Sequence, residues 1–364
     1  MKRISLALAL CGVLNCCQPK KREVVVLPEE SLPVDVSSIG KLKLSDYGFF
    51  KGALKDLSPS EEVIPYTINA ALFSDYAFKK RFVKIPKGSN AVYSAEEIMA
   101  FPEGTVLIKN FYYPCDFRKP NENLRIIETR LLIRTSTQWE TLPYVWNEEQ
   151  TDAFLTIGGK NIDVSWTNYD GIPQQVKYSV PNMIACKGCH LKNHEVLPIG
   201  PSARQLNRTH DYPSGVENQL AHWKTLRVLE GLPASDSIPA LANYENKDET
   251  VERRARAWLE VNCAHCHRSD GPARNSGLYL LATEKNLSRL GVGKAPVAAG
   301  KGSGGLLYGI VPGHPLSSIL QFRIESTDPG IMMPELGRKV VHTEGVELVR
   351  QWISEMKPVT PANQ

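Results

Sequence analysis

Two short segments carry thiols and imidazoles at a chemically demanding spacing. Cys186-Lys187-Gly188-Cys189-His190 and Cys263-Ala264-His265-Cys266-His267 each place two thiols three positions apart, with a histidine directly after the second. Thiols so spaced on one turn of chain reach two different vinyl groups of one porphyrin, and the adjoining imidazole is then held beneath the ring with a nitrogen on iron. The chain has eight cysteines and eight histidines among 364 residues. At those frequencies chance would supply about 0.004 such motifs. The expectation is two covalently attached haem c groups, held by Cys186, Cys189, Cys263 and Cys266, with His190 and His267 as iron ligands. Zinc is the alternative for such residues, but it needs four ligands, usually two pairs converging. A redox-active dithiol would not need the trailing histidine.

An iron held by one histidine has a sixth position to fill. Past the second motif lies Gly330-Ile331-Met332-Met333-Pro334-Glu335-Leu336-Gly337, and a methionine before proline on such a loop suits that position. Thioether ligation opposite histidine raises the reduction potential and blocks exogenous ligands. Met333 is the expected ligand, with Met332 as the fallback. For the first motif the candidates are Met183, His194, His210 and His222. His222 lies on a predicted helix that can return over the ring. An iron with no protein ligand there would be open to peroxide or a small gas.

The elements that must position these residues differ along the chain. Lys80–Ile85, Thr105–Tyr113, Leu124–Thr135, Gln138–Trp146 and Asn161–Trp166 are rich in β-branched and aromatic residues and read as strands. Gly158-Gly159 reads as a hairpin turn between 154–157 and 161–166. The strand pattern predicts an antiparallel β-rich domain over 44–180, sandwich or barrel-like. Beyond Pro181 helical patterns are expected at Val216–Leu229, at Asn246–Asn262 running straight into Cys263, and at Thr343–Met356. The fold expected is therefore α+β and multidomain. The β-rich domain is followed by a first haem-binding segment (181–245) and an α-helical cytochrome c-type domain (246–364). Trp258 and Trp352 are candidates for the aromatic contact where the first and last helices of that domain cross.

The amino terminus reads as an export signal. Lys2 and Arg3 precede the apolar run Ile4–Leu14, too short to span a bilayer. Cys17, or Cys16, stands where a lipoprotein signal is cut and the new terminal cysteine is lipidated, and 18–43 then forms a solvated tether. A periplasmic, lipid-anchored protein is expected. The net charge of +4 and the absence of a lysine or arginine run argue against a nucleic-acid partner.

Around the two motifs stand Ile199-Gly200-Pro201, Val311-Pro312-Gly313, Ser326-Thr327-Asp328-Pro329-Gly330 and Met333-Pro334-Glu335-Leu336-Gly337-Arg338. Upstream are Leu44-Ser45-Asp46-Tyr47-Gly48-Phe49-Phe50 and Leu142-Pro143-Tyr144-Val145-Trp146-Asn147-Glu148-Glu149-Gln150. Together they resemble a poorly characterised family of bacterial di-haem c-type cytochromes with an N-terminal β-rich region. The resemblance implies two haems and export. An electron carrier serving a redox partner protein is the function expected. A di-haem peroxidase-like enzyme with one open haem is the alternative.

Overall fold

The computed structural model describes residues 40–358; the export signal, Cys16 and Cys17 and most of the expected tether lie outside them. Six strands form one open antiparallel sheet in sequence order: β1 (Val63–Tyr66), β2 (Phe78–Lys84), β3 (Val106–Pro114), β4 (Leu124–Arg134), β5 (Trp139–Trp146) and β6 (Ala153–Leu155). Alternation of side chains gives this sheet two faces. One face buries Phe82, Ile108, Leu131, Leu142 and Tyr144 beneath Leu44, Phe49 and Leu57. The other carries Val83, Leu107 and Trp139 under Leu206, Leu220 and Trp223. At a separate place Phe111 and Val145 pack against a hairpin of β7 (Lys160–Thr167) and β8 (Pro173–Val180).

The expected strands are present within a few residues, but the Gly158-Gly159 turn does a different job. It joins β6, paired to β5, to β7, paired to β8, so the strands on either side of it belong to different sheets. Gly159 has φ +75, and a Cβ there would meet the Val180 carbonyl oxygen at 2.7 Å. The position therefore requires glycine.

The second half departs from the expected helical cytochrome c-type domain. The described residues are 27% strand and 22% helix, and the α-helices among them are few and short: α1 (Met183–His190), α2 (Ala203–Leu206), α3 (Gln219–Thr225), α4 (Val251–Leu259), α5 (Ile319–Glu325) and α6 (Thr343–Glu355). Val216 does not begin a helix. It pairs with Asp211 in a two-stranded hairpin, and α3 starts only after Asn218, whose side chain caps the Leu220 and Ala221 amides. The helix expected from Asn246 begins only at Val251, where Thr250 caps α4 by accepting the Arg253 amide at 3.3 Å. Gly271, Pro272 and Gly277 follow the second motif, and from Gly291 to Pro315 glycines and prolines recur every few residues. They remove helical hydrogen bonds and favour turns, so this stretch is loop with isolated 3-10 turns.

Helix α4 and helix α6 do pack together around a shared core containing Trp258, Leu259, Val349, Trp352 and Ile353. The Trp258 indole lies directly on the α6 backbone, where a Cβ at Gly345 would fall 2.1 Å from its Nε1. Trp258 Nε1 donates to His342 Nδ1 at 2.8 Å.

Candidate functional site

The first motif lies on α1. Asn182 begins the helix, its side chain accepting the Ala185 amide at 2.7 Å, a standard cap for exposed donors at a helix start. The helix ends at His190, where the strand pair Leu191–Lys192 and Glu195–Val196 folds the chain back. Leu197 is thereby fixed twice: its amide donates to the His190 carbonyl at 2.8 Å, and its own carbonyl lies 2.7 Å from His190 Nδ1. A carbonyl oxygen only accepts, so Nδ1 carries the proton and Nε2 keeps its lone pair.

The second motif follows α4, which widens into a π-helical stretch over Glu260–Ala264 before the turn. Such wider turns recur at functional sites. The Cys266 and His267 amides both donate to the Cys263 carbonyl. His267 Nδ1 lies 3.2 Å from Ser276 Oγ. That hydroxyl spends its one proton on the Ala273 carbonyl at 2.7 Å, so it accepts from the imidazole. His267 and His190 thus share a tautomer, each with Nε2 available to a metal, the orientation that partnered ligand histidines have.

All four thiols are unpaired. Burial raises each of them, Cys263 to about 12 and Cys266 to about 11. A redox-active dithiol needs the opposite shift, so this environment disfavours that chemistry. Burial holds His190, His265 and His267 near 4, neutral at ordinary pH. Among the described residues no three His, Cys, Asp or Glu side chains converge as ligands of a metal ion. Tetrahedral zinc asks for four, whereas a haem iron draws at most two from the protein.

Three adjoining cavities surround the motifs. One, of about 390 Å³, is lined by Cys263, Cys266, His267 and Met333, with Leu280, Leu290, Ile310 and Ile324 making it apolar. Gly291 and Gly309 form part of its wall, where two loops cross so closely that a Cβ on Gly309 would fall 2.8 Å from the Gly291 oxygen. The other two, of about 200 and 210 Å³, flank His190. Cys189 and His265 line all three, so the motifs stand back to back across a wall of side chains. The loops that follow them are tied together: the Asn193 amide donates to the Asp270 carbonyl at 3.1 Å, and Lys192 and Arg268 both pair with Asp270.

Met333 lines the cavity of His267 and also one of the two cavities that flank His190, while Met332 is buried outside all three. Met183, His194, His210 and His222 line none of the three cavities. His222 is instead stacked on Tyr212 at 3.6 Å and bonded to Glu217 at 2.6 Å, held by the hairpin that precedes α3. Met183 packs against the apolar core on the far side of the sheet.

Sequence reasoning overlooked two features of the first site. His265, a spacer inside the second motif, faces the first, and its buried Nδ1 has no hydrogen-bond partner. Buried polar atoms are rarely left so, and this one lies against the space that a first haem would fill. A row of basic side chains, Arg81, Lys109 and Arg130, also lines the cavity beside His190. Alternation within the strand patterns marks their facing, but only sheet pairing aligns them. Free thiols in pairs, a lone-pair nitrogen at each histidine, an apolar cavity and an orphaned imidazole nitrogen together fit two haems.

No protein-family model matches the chain, and the searches of curated proteins and of solved structures returned no significant match. Among the described residues no helix is long and apolar enough to cross a membrane.

Proposed function

We propose that the chain carries two haems, thioether-linked through Cys186 and Cys189 and through Cys263 and Cys266, and passes electrons between them to a partner protein. The observation that carries this reading is the back-to-back placement of the motifs, with Cys189 and His265 common to all three cavities. Haem supplies a reversible one-electron couple at its iron. The chain's own residues do the rest. His190 and His267 present Nε2 in a fixed tautomer, set by Leu197 and by Ser276. Leu280, Leu290, Ile310 and Ile324 make much of the second cavity's lining apolar, and low polarity around an iron raises its potential. Met333 is the proposed sixth ligand in that cavity.

The decisive test is haem content after denaturation, with the mass of each motif peptide. Two covalent haems, one on each peptide, uphold the proposal; unmodified peptides on protein made with haem-attachment machinery would end it. We also propose export and a lipid anchor at Cys17, or Cys16. Replacing both by serine should move the protein from the membrane to the soluble fraction.

A second reading, a peroxidase-like enzyme, is favoured by one observation. None of Met183, His194, His210 and His222 lines the cavity of His190, which leaves a first iron without a sixth ligand from that set. Electron paramagnetic resonance decides between them: a high-spin first iron with rapid peroxide turnover supports the enzyme, and two low-spin irons support the carrier.

A further inference from the structure

Arg81 on β2 pairs directly with Lys109 on β3, and Lys109 pairs directly with Arg130 on β4. Three cations thus stand in one row across adjacent strands. Side chains opposite one another in an antiparallel sheet lie about 5 Å apart at Cβ, and like charges so placed are destabilising. All three line the cavity that also holds Cys189, His190 and His265. An apolar layer of Val83 and Leu107 bounds the row toward one end of the strands, while toward the other Phe111 stands between Lys79 and Glu128.

The row is undercompensated. Arg130 pairs with Glu128 at 2.5 Å, and Tyr178 donates to the same carboxylate. Arg81 and Lys109 have no ion pair among the described residues, and Arg81 Nη2 is buried without a partner. Lys109 Nζ has only the face of Phe111, 4.7 Å from its centroid, and shares that ring with Arg130 at 4.4 Å. Burial, then the charges of Arg81, Lys79 and Arg130, push the Lys109 ammonium well below its ordinary range. Without an anion Lys109 therefore tends to shed its proton and the Arg81 charge stays unanswered, whereas an anion in the cavity would hold both side chains charged.

We propose that Arg81, Lys109 and Arg130 form a binding site for a doubly anionic group of carboxylate or oxyanion oxygens, beside His190. Two sources have that chemistry. A haem on the first motif would bring two propionates, matching the two unanswered charges, and this source rests on the di-haem reading. A small free oxyanion is the other. Arg81 and Arg130 offer planar forks that suit paired oxygens, and Lys109 a point charge between them.

The test uses full-length protein, with the first-motif peptide weighed to establish whether haem is attached there. Arg81→Gln and Lys109→Gln are made singly and together, with Lys80→Gln, on the opposite face of β2, as the control. Oxalate binding is measured by calorimetry, and the first iron's potential by redox titration. If propionates fill the row, haem-loaded protein ignores oxalate. The double variant then favours the oxidised iron about tenfold, or 59 mV for one electron. If the ligand is a free oxyanion, loaded protein binds oxalate and the double variant weakens it by at least about tenfold. Should the first motif carry no haem, the propionate source fails, and oxalate binding weakened in the same way still upholds the site. Absence of both oxalate binding and a potential shift, in any of these proteins, overturns it. The single variants decide the matter if the double variant does not fold.

Discussion

The two motifs share a spacing and a histidine tautomer, yet their surroundings are nearly opposite. The second lies where a helix widens and meets loops, in an apolar cavity that also holds Met333. The first lies on an eight-residue helix against the sheet, facing a row of cations and a histidine borrowed from the other motif. Five contiguous residues define what can be attached; the walls define how the attached group behaves. An apolar wall with a thioether favours the reduced, less charged iron. Uncompensated cations press the same way, but an anion that neutralises them cancels the effect. The two sites are therefore expected to differ in potential, which suits a one-way relay.

The sharpest way to break this comparison is to remove one site at a time. Cys186→Ser with Cys189→Ser, and Cys263→Ser with Cys266→Ser, should each leave one covalent haem, with different potentials by redox titration. Identical potentials would mean that the walls do not matter.

Two buried contacts behind these walls should matter to different extents. Gly345→Val would drive a side chain into the Trp258 indole, where a Cβ already falls at 2.1 Å. Relief requires α4 and α6 to separate, so a loss of about 3 kcal/mol or more is expected from chemical denaturation. Trp258, His342 and Val346 line a cavity flanking His190, and α4 runs into the second motif, so the spectra of both irons should change.

Glu128→Gln tests the other wall. Glu128 is fully buried and holds both Arg130 and Tyr178. Its loss leaves a third cation unanswered, at about 3 kcal/mol. Added sulfate or oxalate should recover part of that stability if the row takes anions. An equal response of both irons would contradict the separation of the sites.

A smaller effect is expected from pH. His342, stacked on Phe73 and accepting from Trp258 Nε1, is pushed down to about 4, chiefly by burial. An unfolded histidine titrates near 6.5. The unfolded chain therefore binds more protons between those values, and stability falls as pH drops from about 6.5 to 4, by roughly 2–3 kcal/mol. His342→Gln should flatten that part of the stability profile. An unchanged slope would assign the acid sensitivity to another group.

The smallest expected effect is none. His222→Ala should leave both iron spectra intact and cost within about 1 kcal/mol in thermal unfolding, since its partners are Glu217 and Tyr212. A spectral change at the first iron would return His222 to the site.

Much of the β-rich half was legible locally. Runs of β-branched and aromatic residues between breakers marked four strands of the sheet, β2 to β5, and the first strand of the separate hairpin, β7, because alternation and turn chemistry act over a few residues. The carboxy-terminal half was misread because one amphipathic helix at each end invited a helical domain between them. The glycines and prolines from Gly271 to Pro315 overrule it.

The residues proposed to attach and ligate haem are identified by sequence alone, since the spacing of thiols and imidazole is a property of five consecutive positions. Tertiary structure decided their company. It brought residues 189 and 265 into the same cavities, turned a motif spacer toward its neighbour, and withdrew His222 to a hairpin. It also aligned Arg81, Lys109 and Arg130, which lie 28 and 21 positions apart along the chain, by strand register. Electrostatic and packing energies depend on distance in space, and only pairing and burial convert separation along the chain into that distance.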